Sequence, residues 1–217
     1  MIDRRQLLWG AGAACVAGPA LAAGLPVPAA REIGFKVLRN GSVIGEHHLK
    51  FSGDDDDLTV EINVALLVTL AGIPVFRYNG AATERWSGGI FSSLDSKVND
   101  NGNQLAVTAR KIDAGYDVQG THVPRYTCPP NTMPLTYWNK AMLNGTILNI
   151  QTAHSYPATV TSPGWNNLPT AGGGTVLAQR FDVTGKLHLS VWYDQMNQWS
   201  GLEFHVSGDE TYQKIVA

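Results

Sequence analysis

The sequence has little cysteine and little net charge. Its 217 residues include two cysteines, and 16 Lys and Arg stand against 18 Asp and Glu. So few thiols cannot build a zinc-thiolate cluster, which takes up to four. A chain without excess positive charge cannot neutralise a phosphate backbone. The composition therefore argues against nucleic-acid partners and against thiolate metal sites.

Long apolar runs are also missing, as are the common ligand motifs. A membrane-spanning helix needs ~20 apolar residues, whereas the apolar stretch at residues 7–16 is broken by Gly10 and Gly12. The acidic run at residues 54–57 lacks the alternate spacing of a calcium loop, and the glycines at 172–174 lack the Lys-Ser/Thr of a phosphate loop. We therefore expect no transmembrane span, no cofactor and no metal.

The N-terminus carries an export pattern. Arg4-Arg5 precedes a mild Gly/Ala-rich stretch, and Ala20-Leu21-Ala22 supplies small residues for cleavage. This pattern predicts a twin-arginine signal over residues 1–22, with the twin-arginine export machinery as partner and a periplasmic location for the mature protein. An ordinary secretory signal is the alternative interpretation.

The mature chain keeps one cysteine. Without residues 1–22 it has 14 Lys and Arg against 17 Asp and Glu, a net charge of −3. Cys128 is then the only thiol, so no internal disulfide can form, and we expect a packed side chain in a stiff Pro-rich loop. A mature length of about 195 residues suits one domain, predicted over residues 31–217.

Alternating hydrophobicity predicts an all-β fold. Every second residue from Leu58 to Leu70 is apolar, which indicates a strand long enough to cross a large sheet. Asn40-Gly41 and residues 99–102 are typical of hairpin turns, and 186–194 with 199–208 form a final pair. We expect a single strongly curved antiparallel sheet or half-barrel. Residues 134–144 could form one short helix, and the Pro/Gly-rich residues 162–174 a loop.

The final hairpin presents a polar and aromatic face. A loop at residues 194–197, with Asn197 in the left-handed conformation, would pair Trp192 with Trp199 and His188 with Glu203; a loop one step later would pair His188 with His205. In either register we expect one face to carry His188, Ser190, Trp192, Trp199, Glu203 and His205. It could be a half-wet sheet face, a groove lined by two tryptophans, or a Ser-His-Glu catalytic set.

Two further positions carry titratable groups. His47 and His48 are adjacent on a predicted strand, so their side chains should point to opposite faces, one at the surface and one satisfied by hydrogen bonds. Glu84 lies before Trp86 and a Gly-Gly pair, where an ion pair or turn contact is the default interpretation and a functional carboxylate the alternative.

Several phrases of the sequence carry a family resemblance. They are Glu84-Arg85-Trp86-Ser87-Gly88-Gly89, Asn99-Asp100-Asn101-Gly102, Thr136-Tyr137-Trp138-Asn139, Leu148-Asn149-Ile150-Gln151-Thr152 and Val191-Trp192-Tyr193-Asp194. In this order the chain, over residues 31–215, resembles a bacterial family of exported proteins known only as a domain of unknown function. Similar families resemble the curved sheet of periplasmic lipoprotein-localisation factors, which implies a half-barrel that could hold acyl chains. The resemblance implies no catalytic residues.

The sequence therefore favours a non-catalytic envelope protein that binds a hydrophobic or amphipathic molecule, such as a lipid-like one, on the concave side of its sheet. The predicted ligand-binding residues are Tyr137, Trp138, His188, Trp192, Trp199 and Glu203. A periplasmic hydrolase that uses His188, Glu203 or Glu84 is one alternative, and a structural or assembly module that binds through a sheet edge is another.

Overall fold

The computed structural model describes residues 24–205 and 209–215, without the side chain of His205. The predicted signal at residues 1–22 lies outside the described residues. Within the described part, no helix is long and apolar enough to cross a membrane.

The fold is almost entirely antiparallel strand. Thirteen strands form one open sheet in the spatial order β12-β13-β14-β15-β16-β1-β2-β3-β4-β5-β6-β7-β8. These strands are β1 (Glu32–Arg39), β2 (Ser42–Gly53), β3 (Asp57–Leu70), β4 (Ile73–Ser87), β5 (Ile90–Asp100), β6 (Asn103–Ile112), β7 (Gly115–Gly120), β8 (Tyr126–Cys128), β12 (Thr159–Pro169), β13 (Thr175–Thr184), β14 (Leu189–Asp194), β15 (Trp199–His205) and β16 (Asp209–Lys214). The predicted all-β class is confirmed.

The predicted hairpins form where turn chemistry places them. Asn40 and Gly41 both have positive φ, as do Asn101 and Gly102, which is the conformation that two-residue hairpin turns require. β3 covers the predicted alternating segment, with Leu58, Val60 and Ile62 buried and Glu61 exposed between them. Strand alternation therefore decides which side chains reach the core face, which we call the inner face.

Residues 129–158, the inner segment, lie against the inner face. They contain three short strands, β9 (Thr132–Pro134), β10 (Thr146–Leu148) and β11 (Ser155–Pro157), which form a second sheet in the order β11-β10-β9. A short 3₁₀ helix, Lys140–Asn144, follows the cap residue Asn139. The helix predicted over residues 134–144 is therefore shorter and tighter than expected, because Pro134 belongs to β9 and the helix begins only after the cap residue Asn139.

Contacts of the inner segment show how strongly the large sheet bends. At one end, the hydroxyl of Tyr126 on β8 donates to the carbonyl of Ala153; at the other, Lys140 lies 4.5 Å from the ring centre of Phe181 on β13. These two strands are second and last in the sheet order, which would separate them by roughly 50 Å in a flat sheet. A segment of thirty residues touches both because the sheet wraps around it.

One predicted loop is instead a strand. The loop predicted over residues 162–174 is wrong for its first part, because Thr159–Pro169 forms β12 and pairs with β13, whereas residues 170–174 form the turn between these strands. The register shifts between Thr161 and Gly164, so Pro163 falls in a bulge of an edge strand. That is where a sheet tolerates a residue without an N–H group, and this is why the Pro/Gly signal was misleading.

The final hairpin keeps the predicted turn but not the favoured register. Asn197 has φ 57, and the Asp194 carboxylate accepts from the N–H groups of Met196 and Gln198. Trp192 pairs with Gly201 and Tyr193 with Trp199, with a bulge between them. The predicted Trp192–Trp199 pair is therefore wrong, and Ser190 opposite Glu203 matches the register one step later. The bulge also sends the two tryptophans to opposite faces.

Candidate functional site

The inner segment lies over the concave side of the sheet and leaves a cavity of about 250 Å³ near the β3–β4 and β5–β6 turns. Its walls come from the inner face and from residues 135–151. Its aromatic residues are Phe76, Tyr78, Tyr137, Phe204 and Tyr212; its aliphatic residues are Ile62, Val64, Leu66, Leu135 and Ile150; its polar residues are His47, Asp100, Thr136, Asn149, Gln151 and Glu210. A mostly apolar concavity with a few polar groups is the usual form of a small-molecule site.

His47 is the most unusual group in this wall. Its side chain is buried, and neither Nδ1 nor Nε2 has a hydrogen-bond partner among the described residues. The ring sits edge-on to Trp199 at 5.3 Å and to Tyr212 at 5.7 Å. Burial, with a smaller contribution from His48, lowers the pKa of His47 from 6.5 to about 3. The imidazole is therefore neutral at neutral pH, with one donor and one acceptor nitrogen.

The two adjacent histidines point to opposite faces, as predicted. His48 lies on the outer face, where its Nε2 is 2.9 Å from Glu46 and its Nδ1 is 3.5 Å from Glu32. The prediction that the inward histidine is satisfied was wrong. Two carboxylates flank the outer ring, whereas hydrophobic and aromatic side chains surround the inner one, because the core face of a strand offers few polar partners.

Three tyrosines and a glutamate share one region of the cavity. Burial, followed by the charge of Asp100, raises the pKa of Tyr78 to about 12. Burial also raises the pKa of Tyr212, with further contributions from Tyr137, Glu210 and Tyr78. The pKa of Glu210 is raised by burial against an opposing effect of Arg39. Such mutual effects require these groups to be near one another in a poorly solvated space.

The backbone of the inner segment directs Tyr137 into the cavity. Tyr137 has φ 69, a left-handed conformation that is uncommon for an aromatic residue, and its carbonyl accepts from the hydroxyl of Tyr193 at 2.7 Å. This turn sends Tyr137 to the cavity and Trp138 into the dry core. At the other wall, Gln151 Nε2 lies 3.2 Å from Asp100, which ties the 149–151 loop to the end of β5.

Glu84 occupies the fully packed part of the inner face. The indole N–H groups of Trp86 and Trp138 both donate to its Oε2 at 2.9 Å. The ring of Trp138 also lies 5.2 Å from Trp86 and 5.3 Å from Phe51. Burial raises the pKa of Glu84, and the surrounding side chains of Thr136, Trp138 and Trp86 oppose that rise. The default interpretation of an ion pair or turn contact is wrong, since this carboxyl is buried and accepts from two indoles.

Of the six predicted ligand-binding residues, one lines the cavity, namely Tyr137. Trp199 lies immediately behind the wall, with its ring 5.2 Å from Tyr137 and 5.3 Å from His47. Trp138 packs in the core around Glu84. Tyr137 therefore lines the site, Trp199 supports its wall, and Trp138 belongs to the packed core.

The other three predicted residues lie elsewhere. His188 is exposed and precedes β14, and Glu203 pairs with Ser190. Trp192 is on the outer face, 5.3 Å from the guanidinium of Arg180, and Leu168 covers the adjacent Gly201. Glu84, the third residue named for a hydrolase, belongs to the inner face and lies apart from His188 and Glu203. The bulge between Trp192 and Tyr193 is the physical reason that the expected common face of the hairpin is divided.

Sequence reasoning missed His47 as a site residue, and also Tyr78, Asp100, Glu210 and Tyr212. A signal for some of them was present, because Tyr78 and Glu84 lie on the same alternating face of β4, as Glu210 and Tyr212 do on β16. The alternation shows that these side chains face inward. It cannot show which of them the inner segment covers.

The family described as Domain of unknown function (DUF6134) matches residues 35–216. No curated protein and no solved structure matches the chain. Among the described residues, no group of three or more His, Cys, Asp or Glu side chains could hold a metal ion.

Proposed function

The chain belongs to the family described as Domain of unknown function (DUF6134), whose description assigns no activity, and we propose from the geometry that it is a non-catalytic binding protein for a small amphipathic molecule. The observation that carries the proposal is His47, a wholly buried imidazole with two unpartnered nitrogens in the wall of an aromatic cavity. A buried polar group without a partner is costly, and a ligand that bonds to the ring would remove that cost.

The dimensions of the cavity restrict the ligand. At about 250 Å³ the space is slightly below the usual range of drug-sized sites. Beside the cavity the inner segment packs against the inner face, with Trp138, Ile147 and Leu148 fully buried. The ligand is therefore a compact molecule rather than a set of long acyl chains spread across the sheet.

The proposed binding is tested by native mass spectrometry of the mature protein extracted from the periplasm of the bacterium that produces it. We expect a co-purifying small molecule on the wild type and its loss from His47→Phe, which keeps an aromatic ring against Trp199 and Tyr212 but removes both nitrogens. His48→Phe is the matched control, since its ring lies on the opposite face, and it should retain the molecule.

Equal occupancy of the wild type and His47→Phe would overturn the proposal, as would the absence of any bound molecule from both. Loss of the molecule from His48→Phe as well would indicate general damage to β2 rather than a role of the inner imidazole. Thermal unfolding of both variants separates these cases, because a general defect lowers stability in both.

We also propose that the protein works in the periplasm after twin-arginine export and removal of residues 1–22. The proposal is supported by Arg4-Arg5 and by the small residues before Ala23, and the family match begins only at residue 35. Replacement of Arg4-Arg5 with Lys-Lys should leave unprocessed precursor in the cytoplasm on immunoblots. Normal processing of that variant would contradict this route.

A further inference from the structure

The charge of the cavity wall selects among amphipathic ligands. Among the described residues that line it, Asp100 and Glu210 are acidic, and none is Lys or Arg. Arg39 on β1 is the strand partner of Glu210 on β16, but it is not part of the cavity wall. His47 adds no positive charge at neutral pH, since burial holds its pKa near 3. An anionic head group would therefore meet carboxylates with no cation in the wall.

The aromatic rings of the wall point to the same choice. Five of the lining residues are Phe or Tyr, and three of these, Tyr78, Tyr137 and Tyr212, are close enough to perturb one another. The faces of aromatic rings attract cations, and rings that surround a cation replace its hydration. Carboxylates beside such rings strengthen the attraction in a poorly solvated space.

Building on the proposed binding function, we infer that the ligand is a small organic cation, an ammonium or quaternary ammonium group on an apolar body. The cation lies among Tyr78, Tyr137 and Tyr212 with Asp100 and Glu210 as counter-charges. The acceptor nitrogen of His47 takes a hydrogen bond from an N–H or O–H group of the ligand. The apolar body packs against the aliphatic wall contributed by β3.

Three probes that share a phenylethyl body test the inference: phenethylammonium, 2-phenylethanol and 3-phenylpropionate. Each is titrated into the purified mature protein at pH 7 by isothermal calorimetry. We expect phenethylammonium to bind at least about tenfold more tightly than the alcohol, and 3-phenylpropionate to bind more weakly than either. This order follows from the sign of the wall charges.

Isosteric variants assign the preference to the two carboxylates. The double variant Asp100→Asn/Glu210→Gln should lower the affinity for phenethylammonium about tenfold and leave the affinity for 2-phenylethanol unchanged. Glu61→Gln is the matched control, because Glu61 is exposed on β3 beside the cavity residue Ile62, and it should alter neither affinity.

The outcomes separate this inference from the proposed binding function. Equal affinities for the ammonium and the alcohol, or tightest binding of the carboxylate, would overturn the cation inference and leave the binding function standing. An unchanged ammonium affinity in the double carboxylate variant would also overturn it. If none of the three probes binds to the wild type, both proposals fail.

Discussion

Glu84 and His47 project from neighbouring regions of one sheet onto the same inner face, and each is fully buried. Trp138 of the inner segment and Trp86 both donate to Oε2 of Glu84, although its Oε1 has no hydrogen-bond partner among the described residues. The same segment leaves both ring nitrogens of His47 without a partner, and His47 lies beside a cavity. In the first arrangement, an oxygen shared by two indole donors joins the inner segment to the sheet. In the second arrangement, two buried nitrogens lack hydrogen-bond partners next to a cavity, as is typical of a place where a ligand is bound.

The difference between the two regions shows why burial alone does not identify a site. Both groups have a pKa displaced mainly by desolvation, upward for the carboxyl and downward for the imidazole. They differ in two respects: one oxygen of Glu84 accepts two indole N–H groups whereas neither nitrogen of His47 has a partner among the described residues, and His47 lines the cavity. Removing the polar group should therefore weaken the protein in the packed region and strengthen it at the cavity.

The largest expected effect comes from Glu84→Leu. Without the carboxyl, the indole N–H groups of Trp86 and Trp138 remain buried and unpaired, which should lower the free energy of unfolding by about 3–5 kcal/mol. Urea denaturation followed by circular dichroism measures the change. Glu84→Gln keeps an acceptor oxygen and should lose clearly less, and equal stability of Glu84→Leu and wild type would remove the structural role assigned to this carboxyl.

Acidic pH should lower the free energy of unfolding of the wild type because of His47. The folded pKa of about 3 lies below the ordinary value of 6.5, so the unfolded chain takes up a proton across that window while the folded chain does not. The contribution to stability is complete above about pH 6.5 and declines as the pH falls, by at most about 1.4 kcal/mol per pH unit.

The acid effect is measured as the difference in unfolding free energy between the wild type and His47→Phe at a series of pH values. The difference should change steadily between pH 6.5 and pH 4, and His48→Phe should behave as the wild type. A constant difference across this range would mean that the inner imidazole is protonated in the folded state.

The pKa shift of Glu84 should change stability with pH in the opposite direction. Burial raises its folded pKa above the unfolded value of 4.5, so its contribution is fully present below pH 4.5 and is lost as the pH rises through the folded pKa. The two indole donors stabilise the ionised form and oppose this loss. Urea denaturation of the wild type and Glu84→Gln from pH 4.5 upward measures it, and parallel pH profiles would contradict the shift.

The smallest expected effect is a gain. His47→Phe at pH 7 should raise the free energy of unfolding of the ligand-free protein by about 1–2 kcal/mol, because a buried polar ring without partners becomes an apolar ring against Trp199 and Tyr212. Thermal unfolding of the refolded, ligand-stripped protein measures the change. A loss of stability would show that the imidazole is already satisfied, and the contrast with Glu84 would disappear.

The sequence was a good guide to local structure. Alternating apolar residues at 58–70 and the Asn-Gly turns at 40–41 and 101–102 led to the correct class, because strand period and turn conformation depend on neighbouring residues. The opposite orientations of His47 and His48 followed from the same alternation. In the last hairpin the predicted pairing was wrong because of a single bulge, in which one extra residue moves Trp199 to the other face.

The all-β class, most hairpins and the opposite orientations of His47 and His48 therefore follow from the chain alone. Tertiary structure alone decided the rest. Contacts between the inner segment and strands as distant as β8 and β13 bend the sheet, place Trp138 on Glu84 and turn Tyr137 toward His47. Alternation fixes the face on which a side chain lies, but whether that side chain is bonded, covered or left beside a cavity depends on residues that are remote in the chain.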